Sequence, residues 1–152
     1  MSSAVFSVEQ VGPLTTIQDA GRTGFMRYGV PRSGPMDRGS FAIVQAALGL
    51  PAGGAAIETT LGGLTLRCIE GSVNFAVAGG DFRIKVDDRP VKSWAVSTIR
   101  AGSRLSIKAG HWGSWAYLGF AGAIASPEWL CSKATHALSG FGGGAARRRA
   151  NS

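Results

Sequence analysis

The sequence is short of charged residues and of long hydrophobic runs. Charged residues make up 16% of its 152 positions, against roughly 25% in a typical soluble domain. No apolar run approaches the ~18 residues that a membrane span needs, and the first residues lack the basic start and apolar stretch of a signal peptide. We therefore predict one compact cytoplasmic domain with no membrane partner.

Cysteine and histidine are scarce as well. Cys68 and Cys131 lie far apart and form no CxxC pair, so neither a disulfide nor a zinc site is predicted. His111 and His136 are too few and too separated to suggest a metal cluster. We expect no metal site.

The positive charge is spread thinly along the chain. The formal net charge is +7, and three of the positive charges lie at residues 147–149. The other basic residues occur singly, whereas a nucleic-acid interface gathers them in a stripe with aromatic residues. The pattern predicts no nucleic-acid partner, and it fits a solvated surface or a cleft for an anionic substrate equally well.

Glycine is abundant, with 23 residues, roughly twice the usual ~7%. Turns divide the chain into short alternating runs that are typical of strands. We predict strands at 5–11, 14–18, 56–60, 64–69, 72–77, 82–86, 94–99, 104–107 and 114–120. The predicted breaks include Glu70-Gly71 and a turn over 87–90. The fold class is mainly β, an antiparallel barrel or sandwich with one principal helix.

That helix is predicted over residues 36–48. Asp37 is suited to be its N-cap, and Gly49 and Pro51 form a usual stop signal. Apolar residues recur within it at three- and four-residue spacing, namely Phe41, Val44, Ala47 and Leu48. Residues 140–152 are rich in glycine and arginine, and we predict a disordered tail there that follows a folded domain at 1–139.

Two catalytic motifs are missing. The P-loop string GxxxxGK[ST] does not occur, so the chain by itself has no recognisable ATP site of that type. The nucleophile elbow GxSxG does not occur either.

A dense polar cluster lies around two glycine-rich loops and the start of the helix. Its members are Gln18, Asp19, Arg22, Arg27, Arg32, Ser33, Asp37 and Arg38. Backbone N–H groups at a helix start, a guanidinium fork and an amide suit a small polar or anionic ligand. Turn formation and helix capping demand the same residue types, so spacing alone leaves both interpretations open.

Several strings carry a resemblance to a known family. They are 12–24 (GPLTTIQDAGRTG), 29–38 (GVPRSGPMDR), 58–66 (ETTLGGLTL), 78–81 (AGGD) and 117–122 (YLGFAG). Together they resemble the biotin-dependent carboxyltransferase family, which includes the 5-oxoprolinase C subunit, allophanate hydrolase subunit 2 and KipA-type antagonists. The resemblance implies a cyclophilin-like β-barrel and a protein of two such halves, of which this chain covers the first.

The resemblance also implies a function in a complex. A 5-oxoprolinase component of this type joins subunits A and B, and the complex hydrolyses 5-oxoproline with ATP; the urea-type carboxyltransferase uses biotin on a partner. A small amide, 5-oxoproline or urea, is therefore the expected substrate. The expected catalytic residues are Gln18, Asp19 and Arg22, and the expected substrate-binding residues are Gly21, Gly29, Ser33, Gly34, Asp37 and Glu58.

Two further interpretations remain. The chain is either a KipA-type module that binds a partner protein without chemistry, or a truncated or frameshifted fragment without function. The sequence also departs from the family pattern. Where an Ala-Asn pair is usual late in the helix, it has Val44-Gln45, and where Gly-Asn is usual before Pro51, it has Gly49-Leu50.

Overall fold

The computed structural model describes residues 3–146, which form nine strands and one α-helix. The strands are β1 (Ala4–Val11), β2 (Thr16–Gln18), β3 (Ala56–Thr59), β4 (Leu64–Gly79), β5 (Phe82–Val86), β6 (Arg89–Val91), β7 (Val96–Arg100), β8 (Arg104–Ala109) and β9 (Ala116–Phe120). A 3-10 turn at Met26–Tyr28 precedes the helix, α1 (Arg38–Ala47).

The long strand β4, with 16 residues, organises the sheet. Its first half pairs with β1 and β8 and its second half with β7 and β9, always antiparallel. The other strands extend from these pairs in the order β2-β3-β9-β4-β8-β5-β6. The predicted fold class, a mainly β, cyclophilin-like antiparallel barrel with one principal α-helix, is confirmed.

The predicted break at Glu70-Gly71 is wrong, because β4 runs through both residues. Gly71 has a φ of +79°, a conformation that glycine adopts at no steric cost. It pairs with Ala4, and the next residue pairs with a different strand, β7. The glycine therefore marks the point at which β4 changes neighbours and does not end the strand.

The predicted turn over 87–90 is too long. Only Asp87 and Asp88 turn the chain, and the short strand β6 begins directly after them. Pro90 pairs with Lys85 in this strand. Since β6 lies at the end of the strand order, the missing N–H of the proline is tolerated there.

Helix α1 packs against the sheet through small side chains of β4. Along β4, alternate side chains point to opposite faces; Phe75 and Val77 enter the large core between the strands, while Ala76 and Ala78 face the helix. Phe41 and Val44 of α1 are buried against them. No helix within residues 3–146 has the length and apolar character of a membrane span.

The sequence predicts the N-cap of α1 correctly, but it does not predict every residue on the buried face of this helix. Asp37 accepts a hydrogen bond from the Ser40 backbone N–H, as an N-cap does. Ala47 is exposed, and Gln45 is buried in its place with 2% exposure. The buried face therefore includes a polar residue that apolar spacing could not indicate.

The glycine-rich end of the chain is ordered over residues 140–146, so the prediction of disorder there is wrong. The Gly143 N–H donates to the Lys133 carbonyl at 2.8 Å, and further backbone hydrogen bonds join the segment to β2 and its flanks. A Cβ on Gly143 would lie 2.5 Å from that carbonyl oxygen. Glycine is present because the backbones approach closely. Residues 147–152 lie outside the described residues.

Gly119 of β9 provides a test of the helix packing. A Cβ at this position would lie 2.4 Å from Val44 Cγ1 and 3.1 Å from Leu48 Cδ1. We expect Gly119→Ala to lower the free energy of unfolding by about 1–3 kcal/mol, because overpacking forces the helix and sheet apart. Urea unfolding followed by circular dichroism measures the change.

The matched control for this prediction is Gly39→Ala, whose added Cβ meets only Asp37 Oδ1, at 3.4 Å. Its stability should equal or exceed that of the wild type, since alanine favours a helix. Val44→Ala removes the methyl that the new side chain meets, so the double-mutant cycle should give a favourable coupling. Additive effects at Gly119 and Val44 would contradict the close packing.

Candidate functional site

Gln18, at the end of β2, joins three separate parts of the chain. Its side-chain Nε2 donates to Thr16 Oγ1 at 2.8 Å and to the Thr135 carbonyl at 3.1 Å. Its Oε1 accepts from the Gly34 N–H at 3.1 Å. The residue is buried. Both ends of the amide are thus engaged in holding the loop before α1 and the C-terminal segment against β2.

Asp19 fixes the same C-terminal segment. Its Oδ1 accepts from the Gly21 N–H at 2.9 Å and from Ser132 Oγ at 2.6 Å. Its Oδ2 accepts from the Lys133 backbone N–H at 2.6 Å. Both carboxylate oxygens are therefore used in positioning the backbone around residue 133.

Arg22 is the most deeply buried charged residue near these loops, with 2% of its surface exposed. Its guanidinium donates to Ser33 Oγ at 3.1 Å, and to the carbonyls of Pro31, Trp129 and Ala134. It also lies 4.9 Å from the centroid of the Trp129 ring, a cation–π contact. No ion pair joins it to a carboxylate within residues 3–146. Carbonyl groups and an aromatic ring stabilise its charge instead.

The loop residues around Arg22 explain why glycine occurs here. Gly21 has a φ of +84°, and a Cβ on it would lie 2.7 Å from the Ser33 carbonyl oxygen. Ser33 itself has a φ of +57°, which is uncommon for a residue with a side chain. Gly29 ends the 3-10 turn with a φ of +77° and contacts none of the groups described above.

A second set of hydrogen bonds anchors the start of α1. Glu58 of β3 is 4% exposed, and its Oε2 accepts from the Met36 N–H at 2.9 Å and from the Tyr117 hydroxyl at 2.8 Å. The same hydroxyl oxygen accepts from the Asp37 N–H at 2.7 Å. Glu58 and Tyr117 are direct partners across β3 and β9, so the sheet places both side chains on one face.

Burial governs the ionisation of this second set. It raises the pKa of Glu58, against the hydrogen bonds from Met36 and Tyr117, which lower it. Burial also raises the pKa of Tyr117 far above its usual value, so the hydroxyl keeps its proton and donates to Glu58. The hydrogen bonds from Ser40 lower the pKa of Asp37, as expected for an N-cap.

All but one of the predicted site residues fall into two groups. We call the first the arginine network; it contains Gln18, Asp19, Gly21, Arg22, Ser33 and Gly34. We call the second the glutamate network; it contains Met36, Asp37, Glu58 and Tyr117. Gly29 belongs to neither. The three residues predicted to be catalytic lie together, and each is engaged in internal hydrogen bonds.

An open cleft of about 380 Å³ lies beside Asp19. One wall comes from residues 50–55 and the other from residues 122–133. The lining side chains that carry charge, besides Asp19, are Glu128 and Lys133. Within residues 3–146, no group of three or more His, Cys, Asp or Glu residues is placed to hold a metal ion. The chemistry available in the cleft is therefore that of an ammonium and carboxylates.

Sequence reasoning missed three of the residues that shape these sites. Tyr117 stands in one of the strings that resemble the family, but nothing marked Tyr117 or Lys133 as functional. Glu128 carries no local signal, since it lies in an irregular segment after β9. Only the fold brings Glu128 and Lys133 to the same cleft as Asp19.

Replacement of Arg22 tests the arginine network. We expect Arg22→Met to lower the free energy of unfolding by about 2–4 kcal/mol, because buried carbonyls that lose their donor each cost about 1–3 kcal/mol. Amide hydrogen exchange should accelerate most at residues 133–135, which depend on this network. The exposed Arg27→Met is the control. Equal exchange rates in both variants would contradict a positioning role for Arg22.

The raised pKa of Glu58 predicts a pH dependence of stability. The folded protein binds this proton more tightly than the unfolded chain does, for which the reference pKa is 4.5. The stabilising contribution of Glu58 is therefore complete below pH 4.5 and is lost as the pH rises through the folded-state pKa. Glu58→Gln, which does not titrate, should become more stable relative to the wild type as the pH rises over this window.

Thermal unfolding at a series of pH values measures this difference. The exposed Glu70→Gln serves as the matched charge control. Parallel pH profiles for Glu58→Gln and the wild type would show that burial does not perturb this carboxyl.

Comparison with known proteins agrees with the resemblance found in the sequence. The family model of the carboxyltransferase domain, subdomain A and B, matches residues 28–151. Urea amidolyase of Lachancea kluyveri is 37% identical over 139 residues, a match that covers 91% of this chain and 8% of that protein. The 5-oxoprolinase C subunit of Escherichia coli is 33% identical over 139 residues, with 91% of this chain and 44% of the relative covered.

The structural comparison leads to the same family. The solved urea carboxylase of Kluyveromyces lactis superposes with a TM-score of 0.89 and 34% identity, covering 95% of this chain and 13% of that one. The chain thus spans less than half the length of these relatives. Since the family model matches most of its residues, the chain belongs to the carboxyltransferase domain family, subdomains A and B.

Proposed function

We propose that this chain is part of a carboxyltransferase-family enzyme that acts on a small amide, either 5-oxoproline or urea, in complex with partner subunits. The observation that carries the proposal is the cleft beside Asp19, together with relatives named for these two amides. Both compounds offer a carbonyl acceptor and N–H donors. The cleft presents a complementary ammonium and carboxylate, from Lys133 and Glu128.

The arginine network contributes to this function by shaping the cleft. The backbone of Lys133 is held by Asp19, and the neighbouring Ala134 carbonyl is held by Arg22. Precise placement of binding groups is a major source of catalytic power. We therefore assign Gln18, Asp19 and Arg22 a positioning role in the proposed enzyme, in place of direct contact with the substrate.

The glutamate network has a comparable role at the other loop. It fixes the backbone at Met36 and Asp37 to the sheet, and so it determines where α1 begins. Ser33 and Gly34 are held by the arginine network just before that point. The two networks thereby hold the loop before the helix in one conformation, in which a partner or a substrate would contact it.

Partners supply the cofactors in this proposal. The sequence has no P-loop string, so we assign ATP to partner subunits, named A and B in the 5-oxoprolinase case. In the urea case, biotin is carried by a partner. One relative is named as a component of 5-oxoprolinase, and this chain covers only 8% and 13% of two much longer relatives, which supports a function in an assembly.

The test is ATP hydrolysis by this chain, expressed with the remaining part of a full-length relative and either with candidate A and B subunits or with the biotin-carrying partner of a urea carboxylase. 5-Oxoproline and urea are supplied in parallel. We expect ATP turnover that requires this chain and one of the two amides, because the cleft completes the substrate site. The amide that supports turnover identifies the substrate.

Omission of each component in turn provides the controls. Asp88→Asn, in the turn between β5 and β6, should leave turnover unchanged. An ATPase rate that is the same without this chain, or the same without either amide, would overturn the proposed function. A stable complex that lacks turnover would indicate a protein-binding module.

A further inference from the structure

Glu128 and Lys133 line the same cleft with opposite charges but do not pair with each other. Among residues 3–146, the ion pairs within 4.0 Å both involve Glu9. Both residues lie in the cleft wall formed by 122–133, separated by the tight turn at Trp129–Ser132. Two unlike charges that face one cavity without contact suit a ligand that has an acceptor at one end and a donor at the other.

The position of Lys133 is fixed at both ends of the residue. Its backbone N–H donates to Asp19 Oδ2 at 2.6 Å, and its Nζ donates to the Ile124 carbonyl at 2.7 Å. An ammonium has three N–H donors, so two remain for a ligand. Because the side chain is already ordered, ligand binding immobilises little additional freedom.

The opposite wall is apolar. Leu50, Pro51 and Ala55 line it, and Ala123 and Ile124 add apolar surface on the side of the charges. Such a surface contacts methylene groups favourably. The volume of about 380 Å³ leaves room for a ring as well as for polar groups.

We propose that Lys133 and Glu128 form a binding site for a small cyclic amide that carries a carboxylate. The carboxylate lies against the Lys133 ammonium, the amide N–H donates to the Glu128 carboxylate, and the ring methylenes pack on Leu50 and Ile124. The choice of ligand rests on the proposed function. Urea has neither a carboxylate nor methylenes, so it uses only part of this surface.

The test is direct binding to the 152-residue chain, measured by titration calorimetry with 5-oxoproline, 2-pyrrolidone and urea. 2-Pyrrolidone is the same lactam without the carboxylate. We expect 5-oxoproline to bind best, and Lys133→Met to weaken its binding about 10-fold or more, because a charge-assisted hydrogen bond is lost. 2-Pyrrolidone should bind Lys133→Met and the wild type equally, whereas Glu128→Gln should weaken both lactams.

Two further variants separate charge from structure. Lys133→Arg keeps the positive charge and should retain most of the affinity for 5-oxoproline. Lys108→Met removes an exposed lysine on β8 and should bind as the wild type does. Amide chemical shifts locate the ligand on the wild-type chain without any substitution. 5-Oxoproline should change the amide shifts of residues 53–55 and 122–124.

Three results would overturn the inference. They are equal binding of 5-oxoproline by Lys133→Met and the wild type, no preference of the wild type for 5-oxoproline over 2-pyrrolidone, and no saturable binding up to millimolar concentration. The ATPase experiment is independent of all three. Binding without amide-dependent turnover in the complex would remove the proposed function and leave this site standing.

Discussion

The guanidinium of Arg22 donates to the loop at Pro31 and Ser33 on one side and to the carbonyls of Trp129 and Ala134 on the other. Removal of a cation from water costs several kcal/mol unless hydrogen bonds replace its hydration. The two segments therefore have to keep the positions in which they offer those acceptors. Lys133 lies next to one of them, so the charged wall of the cleft depends on this buried side chain as well as on Asp19, which accepts from the Lys133 N–H.

The same contacts show why the spacing of the polar residues left their role open. Gln18, Asp19 and Arg22 are close in the chain, and their clustering predicted a polar site around the glycine-rich loops. Spacing could not tell whether these polar groups face a ligand or the backbone, since both uses need the same atoms. In the structure their hydrogen-bonding groups point to carbonyls and N–H groups up to 117 positions away, and contacts of that range leave no local pattern.

The strand predictions succeeded where a run of alternating apolar and polar residues is bounded by turn residues, as at β5. The N-cap Asp37 could also be predicted, because its residue type and its place at the start of the helical pattern are local signals. The predictions failed where glycine has a role other than ending an element. Gly71 continues β4 at a positive φ, and Gly143 allows two backbones to approach. A glycine in a sequence signals unusual backbone geometry, but whether the chain turns, changes partner or packs closely is decided by residues distant in sequence.

Both departures from the family pattern concern the apolar wall of the cleft. Gln45 supports this wall through a 2.9 Å hydrogen bond from its Nε2 to the Gly54 carbonyl, while its buried Oε1 has no partner among the described residues. An unsatisfied buried acceptor costs about 1–3 kcal/mol. Leu50 lines the cleft on the same side. The wall of 122–133 donates to Asp19 through Ser132 Oγ and the Lys133 N–H, and it accepts from Arg22 at the Trp129 carbonyl. We therefore infer that the two walls have different roles. The charged wall orients a ligand, and the apolar wall packs against it.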